Sequence, residues 1–87
     1  MKLIITIIRD TDDGTVINQL VGRGYRVTRV ASTGGFMRRG NVTLLIGAEA
    51  NQVQEVIDLL REVCSPAEAR HGRATVFVVD AQDFIQV

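Results

Sequence analysis

The sequence predicts an α+β fold whose four strands and two helices follow one another in the order β-α-β-β-α-β. Four short runs rich in β-branched residues have the composition of strands, and two longer stretches carry apolar residues at helical spacing. Clusters of glycine, aspartate, asparagine or proline separate these stretches. At 87 residues the chain can bury one small core, so we expect a single domain over residues 1–87.

Residues 3–8 predict a first strand that is apolar on both faces. Thr11 or Asp12 is placed to cap the helix that follows, and the acids of this turn suit a helix N-terminus. Gly24 is typical of the left-handed residue that follows the last turn of a helix. The apolar residues that recur at helical spacing between these points are Val16, Ile17, Leu20 and Val21.

Residues 25–32 predict a second strand, and its more polar composition favours an edge position in the sheet. Residues 33–40 then form a loop of about eight residues, where a hairpin loop usually has roughly two to five. Long ordered loops inside compact domains tend to carry function. Residues 41–48 predict a third strand, which is again apolar on both faces.

The second helix is expected to begin at Asn51, a good capping residue, and to stop at residues 65–66, where serine and proline occur together. A short polar linker over residues 67–73 leads to a fourth strand at 74–79 and a tail at 80–87. The predicted apolar stripe of this helix comprises Val53, Val56, Ile57, Leu60 and Cys64, and its exposed side comprises Gln52, Glu55, Asp58 and Glu62.

This order of elements is that of the ferredoxin-like fold, an antiparallel sheet with two helices on one face and the first and third strands at its centre. Three of the four strands are apolar on both faces. The face without helices would therefore expose a large apolar patch, which soluble monomers rarely do. We expect copies of the chain to cover this face, so that the protein is a homo-oligomer.

Composition excludes several classes of function. A formal net charge of zero argues against nucleic-acid or membrane binding through bulk charge. The one cysteine, Cys64, excludes an intramolecular disulfide and is expected to be a small buried hydrophobe, and the one histidine, His71, has no companion ligands at metal-binding spacing. The apolar N-terminus is soon broken by Arg9 and Asp10, which argues against a signal peptide or membrane span and favours a cytoplasmic protein.

The candidate site is the loop at residues 33–40 and its flanks, where positive charge is concentrated. Glycines let successive backbone N–H groups turn toward one anion, and arginine forks match phosphate geometry. Phe36 and Met37 offer apolar surface to a base, and Asn41 can pair with a purine edge. The sequence has no nucleophile–base pair and no Walker motif, so we expect a nucleotide receptor rather than an enzyme. Between positions 14 and 48 there is no acidic residue, whereas there are five arginines: Arg23, Arg26, Arg29, Arg38 and Arg39.

Other interpretations of this loop are open. A glycine-rich loop with arginines can be a solvated turn, and Phe36 can be a contact between copies of the chain. A regulator that needs no ligand could dock the basic 33–40 loop into an acidic groove of a partner protein. A small phosphatase of the same fold is least favoured, because its anion-binding loop would contain Asp10, Asp12 and Asp13, which repel phosphate.

The same residues carry a resemblance to a known family. The run RVTR at residues 26–29, followed by ASTGGFMR at 31–38 and GNVTLLIG at 40–47, resembles the cyclic-di-AMP receptor family of PII-like signalling proteins. The opening MKLII at residues 1–5 and the ending ATVFVV at 74–79, with DFIQ after it, are similar to that family as well. The resemblance covers nearly the whole chain.

The resemblance implies a PII-like homotrimer of ferredoxin-like subunits that binds cyclic-di-AMP, or a related adenine nucleotide, between subunits, with no further cofactor. It also implies a signalling role in which ligand orders the 33–40 loop and thereby regulates a target protein. Phe36 would lie against an adenine whose edge Asn41 reads, and Arg26 and Thr28 would face the phosphate–ribose ring. The ligand contacts implied are Arg26, Thr28, Gly35, Phe36, Met37, Asn41, Gly47 and Gln86.

Two features depart from the family pattern. The family's receptors carry a long segment between the second helix and the last strand, which helps to form their site. Here this segment is short, at residues 65–73. Met37 stands where a leucine is usual, a change that nearly conserves volume.

Overall fold

The computed structural model describes residues 1–30, 40–64, 74–83, 85 and 87. The elements are β1 (Lys2–Arg9), α1 (Asp13–Gly22), β2 (Arg26–Val30), β3 (Asn41–Ala48), a 3-10 turn (Ala50–Gln52), α2 (Val53–Val63) and β4 (Thr75–Asp80). Strands β1 and β3 form the centre of a four-stranded sheet of order β2-β3-β1-β4, in which every pair of neighbours is antiparallel. The predicted ferredoxin-like fold is therefore confirmed, as is the edge position of β2.

Strict alternation along the two central strands divides the sheet into two unlike faces. From Ile4 onward in β1 and throughout β3, even-numbered side chains are buried, while odd-numbered ones are only half-buried. The register pairs Ile4 with Ile46 and Thr6 with Leu44, so the buried sets of the two strands lie side by side. They form one core with both helices, which contains Ile4, Ile8, Val42, Leu44 and Ile46 from the sheet and Val16, Leu20, Val56, Leu59 and Leu60 from the helices.

Helix α1 ends as the sequence predicts. Gly24 has a φ of 89°, and its N–H donates to the Val21 carbonyl oxygen at 3.0 Å. Asp12 occupies the N-cap position, but its side chain makes no capping hydrogen bond within the described part of the chain. Of the four apolar residues that recur at helical spacing in α1, Val16 and Leu20 are fully buried, whereas Val21 is 56% exposed.

Helix α2 begins differently from the prediction, which took Asn51 as its cap. Asn51 lies inside the 3-10 turn, and Glu49 is the residue that caps this turn. The Glu49 side chain accepts from the backbone N–H of Gln52, and the Glu49 N–H donates to Gln52 Oε1 at 2.9 Å, which makes a capping box. The predicted apolar stripe is correct but lacked Leu59, which is buried, as Cys64 is.

The sheet face opposite the helices, called the open face below, carries the odd-numbered residues of β1, β3 and β4. Leu3, Ile5 and Leu45 are half-buried at its centre, and Phe77 on β4 is 53% exposed. In the described part of the chain, no helix packs on this apolar face, as the sequence predicts. At the end of the sheet, the paired residues Lys2 and Asp80, which have the parity of the helix-covered face, form an ion pair between β1 and β4. The pKa of Asp80 is lowered because Lys2 donates a hydrogen bond to it and is positively charged.

The hydroxyl of Thr6 is a polar group in the core that is expected to lower the stability of the fold. Thr6 is 0% exposed, and its hydroxyl meets no hydrogen-bond partner among the described residues. An unpaired buried hydroxyl costs about 1–3 kcal/mol, so Thr6→Val, which keeps the side-chain shape, should raise the free energy of unfolding by about 1 kcal/mol. Urea unfolding at fixed protein concentration measures this. Thr75→Val on the exposed edge strand is the control. An equal gain in the free energy of unfolding from Thr75→Val, or a loss from Thr6→Val, would contradict the view that the Thr6 hydroxyl is unpaired.

Candidate functional site

Four of the eight predicted ligand contacts lie in the described part of the chain. These are Arg26 and Thr28 on β2 and Asn41 and Gly47 on β3. The other four, Gly35, Phe36, Met37 and Gln86, lie outside the described residues, as do most of the 33–40 loop and all of residues 65–73.

The sheet register brings the four described residues onto one face. Arg26 is the cross-strand partner of Gly47, and Thr28 is the partner of Leu45 two residues further along. Asn41 starts the same strand and has the same parity as Gly47, so its side chain lies on the open face too. At about 3.3 Å per residue, Asn41 and Gly47 are roughly 20 Å apart along β3. The four described contacts therefore form a strip along one edge of the open face.

The end of the strip near Asn41 is fixed by the turn that precedes it. Gly40 has a φ of 90°, and its carbonyl oxygen accepts a hydrogen bond from the Asp10 N–H at 2.8 Å. This bond ties the start of β3 to the end of β1. Arg9 is the cross-strand partner of Asn41 and lies on the same face.

The other end of the strip opens into a cleft of about 350 Å³. This volume is within the range of small-ligand sites, roughly 300–1,000 Å³. A side chain at Gly47 would meet no described atom within 4 Å, so the glycine leaves space in the cleft rather than serving close packing. The cleft is lined by Met1, Gly24, Tyr25, Arg26, Gly47, Ala48, Glu49 and Gln52.

Ion pairs reduce the positive charge that the sequence concentrates in this region. Arg23 Nη1 lies 3.1 Å from Glu55 Oε1, and Arg29 Nε lies 2.6 Å from Asp13 Oδ2. Both acids belong to helices, and Arg29 lies on the helix-covered face of β2, opposite in parity to Arg26. Among the described arginines of β2, Arg26 alone therefore belongs to the open face and to the cleft.

Tyr25 connects the floor of the cleft to helix α2. Its ring is buried, and its hydroxyl donates to Glu55 Oε2 at 2.9 Å. Burial raises the pKa of the Tyr25 phenol, and the hydrogen bond to the Glu55 carboxylate and its negative charge raise it further. Arg23 also contacts Glu55, so one carboxylate binds both Arg23 and Tyr25, which lie in the connection between α1 and β2.

The sequence prediction missed six of the eight residues that line the cleft, and three of these six carry polar side chains: Tyr25, Glu49 and Gln52. A weak signal existed for the last two, because a Glu and a Gln three residues apart before an apolar helix fit a variant of the capping box. No signal pointed to Tyr25, which follows Gly24 in the sequence and reaches the cleft only through the fold. Residues 24–26 and 47–52 meet there because β2 and β3 pair at this end.

The described residues show neither a metal site nor a membrane span. No three His, Cys, Asp or Glu side chains come together in the described ranges where they could hold a metal ion. Neither helix in the described part of the chain is long and apolar enough to cross a bilayer.

Two comparisons identify similar proteins. A family model described as "Cyclic-di-AMP receptor" matches residues 1–69. Among solved structures, the crystal structure of a functionally unknown protein from Pediococcus pentosaceus ATCC 25745 is similar, with a TM-score of 0.77 and 30% sequence identity. The match covers 99% of this chain and 96% of that chain. The two chains therefore correspond over nearly their whole lengths.

The pKa of Tyr25 predicts a stability change at high pH. As pH rises through about 10, the unfolded chain loses the phenol proton that the folded protein still holds, so the free energy of unfolding should fall until pH passes the raised pKa. Tyr25 is the only tyrosine and there is no tryptophan, so phenolate absorbance reports this group alone.

The variant Glu55→Gln should move the Tyr25 titration back toward its ordinary value, since the acceptor charge is removed. Asp58→Asn, on the exposed side of the same helix, should leave it in place. If Glu55→Gln left the titration curve unchanged, the link between Tyr25 and Glu55 would be wrong.

Proposed function

Because the chain belongs to the cyclic-di-AMP receptor family, we propose that it is a signalling receptor for cyclic-di-AMP or a related adenine nucleotide. The observation that carries the proposal is the pairing of Arg26 with Gly47 at a cleft of ligand size. Two residues assigned to the ligand by sequence alone are thus direct neighbours in the sheet. Arginine supplies the planar donors that phosphate groups need, and glycine leaves the backbone accessible beside it.

The contacts fall into two groups by chemistry. Arg26 and Thr28, side by side on the open face of β2, would hold the phosphate–ribose ring through charge-assisted and hydroxyl hydrogen bonds. Asn41, at the far end of β3, would read the edge of an adenine, with Phe36 stacked against that base. The remaining contacts that we propose are Gly35, Met37, Gly47 and Gln86.

We propose a homotrimer in which the ligand lies between subunits. The support is the open face, where the apolar side chains of the central strands lie beside exposed Phe77. Burial of such a face against copies of the chain is favourable by roughly 25 cal/mol for each Å² of apolar surface removed from water. The strip that contains Arg26 and Thr28 borders this face, so a neighbouring copy would cover the ligand.

Signalling would follow from ordering of the 33–40 loop. The loop connects β2 to β3, the two strands that carry the ligand contacts, so a ligand held by both strands would restrict it. An ordered loop would present Arg38 and Arg39 to a target protein in one arrangement, which is a disorder-to-order switch.

Calorimetric titration with cyclic-di-AMP, cyclic-di-GMP and ATP tests the receptor proposal. Cyclic-di-AMP should bind the wild-type protein, and Arg26→Ala and Asn41→Ala should each weaken binding by about 1–3 kcal/mol, because each removes a charged or buried hydrogen bond. Arg61→Ala, an exposed arginine on α2, is the control and should bind normally. Absence of binding to all three nucleotides would contradict the proposal and favour a ligand-independent protein–protein regulator that uses the 33–40 loop.

Self-association should depend on the open face. Phe77→Glu places a charge within the proposed contact and should convert the trimer into monomers, as measured by light scattering. The matched control is Val21→Glu on α1, where the side chain is 56% exposed against 53% for Phe77. A trimer that survives Phe77→Glu, or a wild-type protein that is monomeric, would refute the assembly.

A further inference from the structure

The turn between β3 and α2 presents a fixed pair of hydrogen-bonding groups to the cleft. Glu49 and Gln52 both line it, together with Arg26. Their side chains and backbones are joined reciprocally in the capping box, and the Gln52 N–H also donates to the Glu49 carbonyl oxygen at 2.9 Å. Groups held in this way lose little freedom when they bind a ligand, so their contacts are preorganised.

The capping box also fixes the orientation of the Gln52 amide. The backbone N–H of Glu49 requires an oxygen acceptor, and Gln52 Oε1 fills that role at 2.9 Å. The Nε2 group is not needed by the cap, so it is the part of the amide with donors to offer a ligand. Gln52 is half-buried, which limits competition from water.

Glu49 contributes the complementary acceptor. A carboxylate has about four lone-pair sites, and the cap uses one of them. The amino group of Met1 lies 3.9 Å from Glu49 Oε2, and the Glu49 side chain is 64% exposed, so this ion pair is weak and leaves the carboxylate able to accept from a ligand.

We infer that Glu49 and Gln52 read an adenine and reject guanine, an assignment that rests on the proposed nucleotide-receptor function. Adenine presents an amino donor beside a ring-nitrogen acceptor on each of its polar edges. The Glu49 carboxylate accepts from the amino group while Gln52 Nε2 donates to the ring nitrogen. Guanine places a carbonyl oxygen where adenine has the amino group, so two acceptors would face each other at Glu49.

This pair serves a different base from Asn41. The cleft lies at the Gly47 end of β3, whereas Asn41 is at the other end of the strand, roughly 20 Å away along it. Cyclic-di-AMP has two adenines. Asn41 therefore contacts one of them and the Glu49–Gln52 pair the other.

Titrations with cyclic-di-AMP, cyclic-di-GMP and the mixed cyclic AMP–GMP dinucleotide test the inference. Glu49→Gln retains an oxygen for the cap but replaces a carboxylate acceptor with an amide that can also donate. The preference for cyclic-di-AMP over the mixed dinucleotide should fall by about tenfold or more. If Glu49 acted only through its charge, all three affinities would rise together and the ratio would not move.

Gln52→Glu supplies the second variant. It also keeps an oxygen for the Glu49 N–H but loses the Nε2 donors, so cyclic-di-AMP affinity should fall by about tenfold or more. Gln19→Glu on exposed α1 makes the same charge change away from the cleft, and Glu62→Gln on exposed α2 is the counterpart for Glu49→Gln. Both controls should bind as the wild type does.

The outcomes separate this inference from the proposed function. If wild-type protein binds no adenine nucleotide, the receptor function itself fails. If wild-type protein binds cyclic-di-AMP but the base preference is unchanged in Glu49→Gln, or Gln52→Glu weakens binding no more than Gln19→Glu does, the receptor function stands and the base-reading role is overturned.

Discussion

Within the residues that the structure describes, helices cover one face of the sheet only, and this is the constraint on which the rest of the structure depends. Alternation along β1 and β3 sends every second side chain into the helix-covered core, and the register extends this division to the edge strands. A slip of β2 by one residue would move Arg26 and Thr28 to the helix side and bring Val27 and Arg29 onto the open face. The pattern that builds the core therefore also sets which residues can meet a ligand.

The open face combines apolar surface with arginine, and the two properties reinforce each other. In the proposed trimer, neighbouring copies would exclude water from the centre of the face and lower the local dielectric near Arg26. An arginine–phosphate contact is stronger there than in bulk water, because Coulomb energies scale inversely with the dielectric constant. A ligand held between copies would in turn stabilise the assembly, since it binds the associated state and not separated subunits. Ligand binding and self-association would then depend on the same surface.

The sequence was sufficient for features that depend on neighbours along the chain. The assignment of β1 and β3 as strands, the left-handed Gly24 and the edge position of β2 all follow from local patterns. Contacts between residues that are distant in the sequence could not be predicted. Arg23 contacts Glu55, which is 32 positions away, so the count of arginines between positions 14 and 48 overstated the positive charge around the loop. For the same reason the cleft could not be predicted, because residues 24–26 and 47–52 are far apart in the sequence. The prediction that Asn51 caps the second helix was wrong. The reciprocal Glu49–Gln52 hydrogen bonds satisfy two backbone N–H groups, whereas an asparagine cap satisfies one.

The length of β3 offers a physical reason for preferring a dinucleotide. Asn41 is its first residue, and the Glu49–Gln52 turn follows its last residue, so the proposed base-reading groups lie at opposite ends of the strand. Arg26 and Thr28, the proposed phosphate and sugar contacts, lie beside the strand. A mononucleotide can occupy only one end at a time and gains nothing from the other. When two bases are joined through one phosphate–ribose ring, binding at the first end raises the effective concentration of the second base at its own site, provided that the linker matches the span. In the proposed site, selectivity for a cyclic dinucleotide would then arise from strand length and register, because a mononucleotide could make each of these contacts but not those at both ends at once.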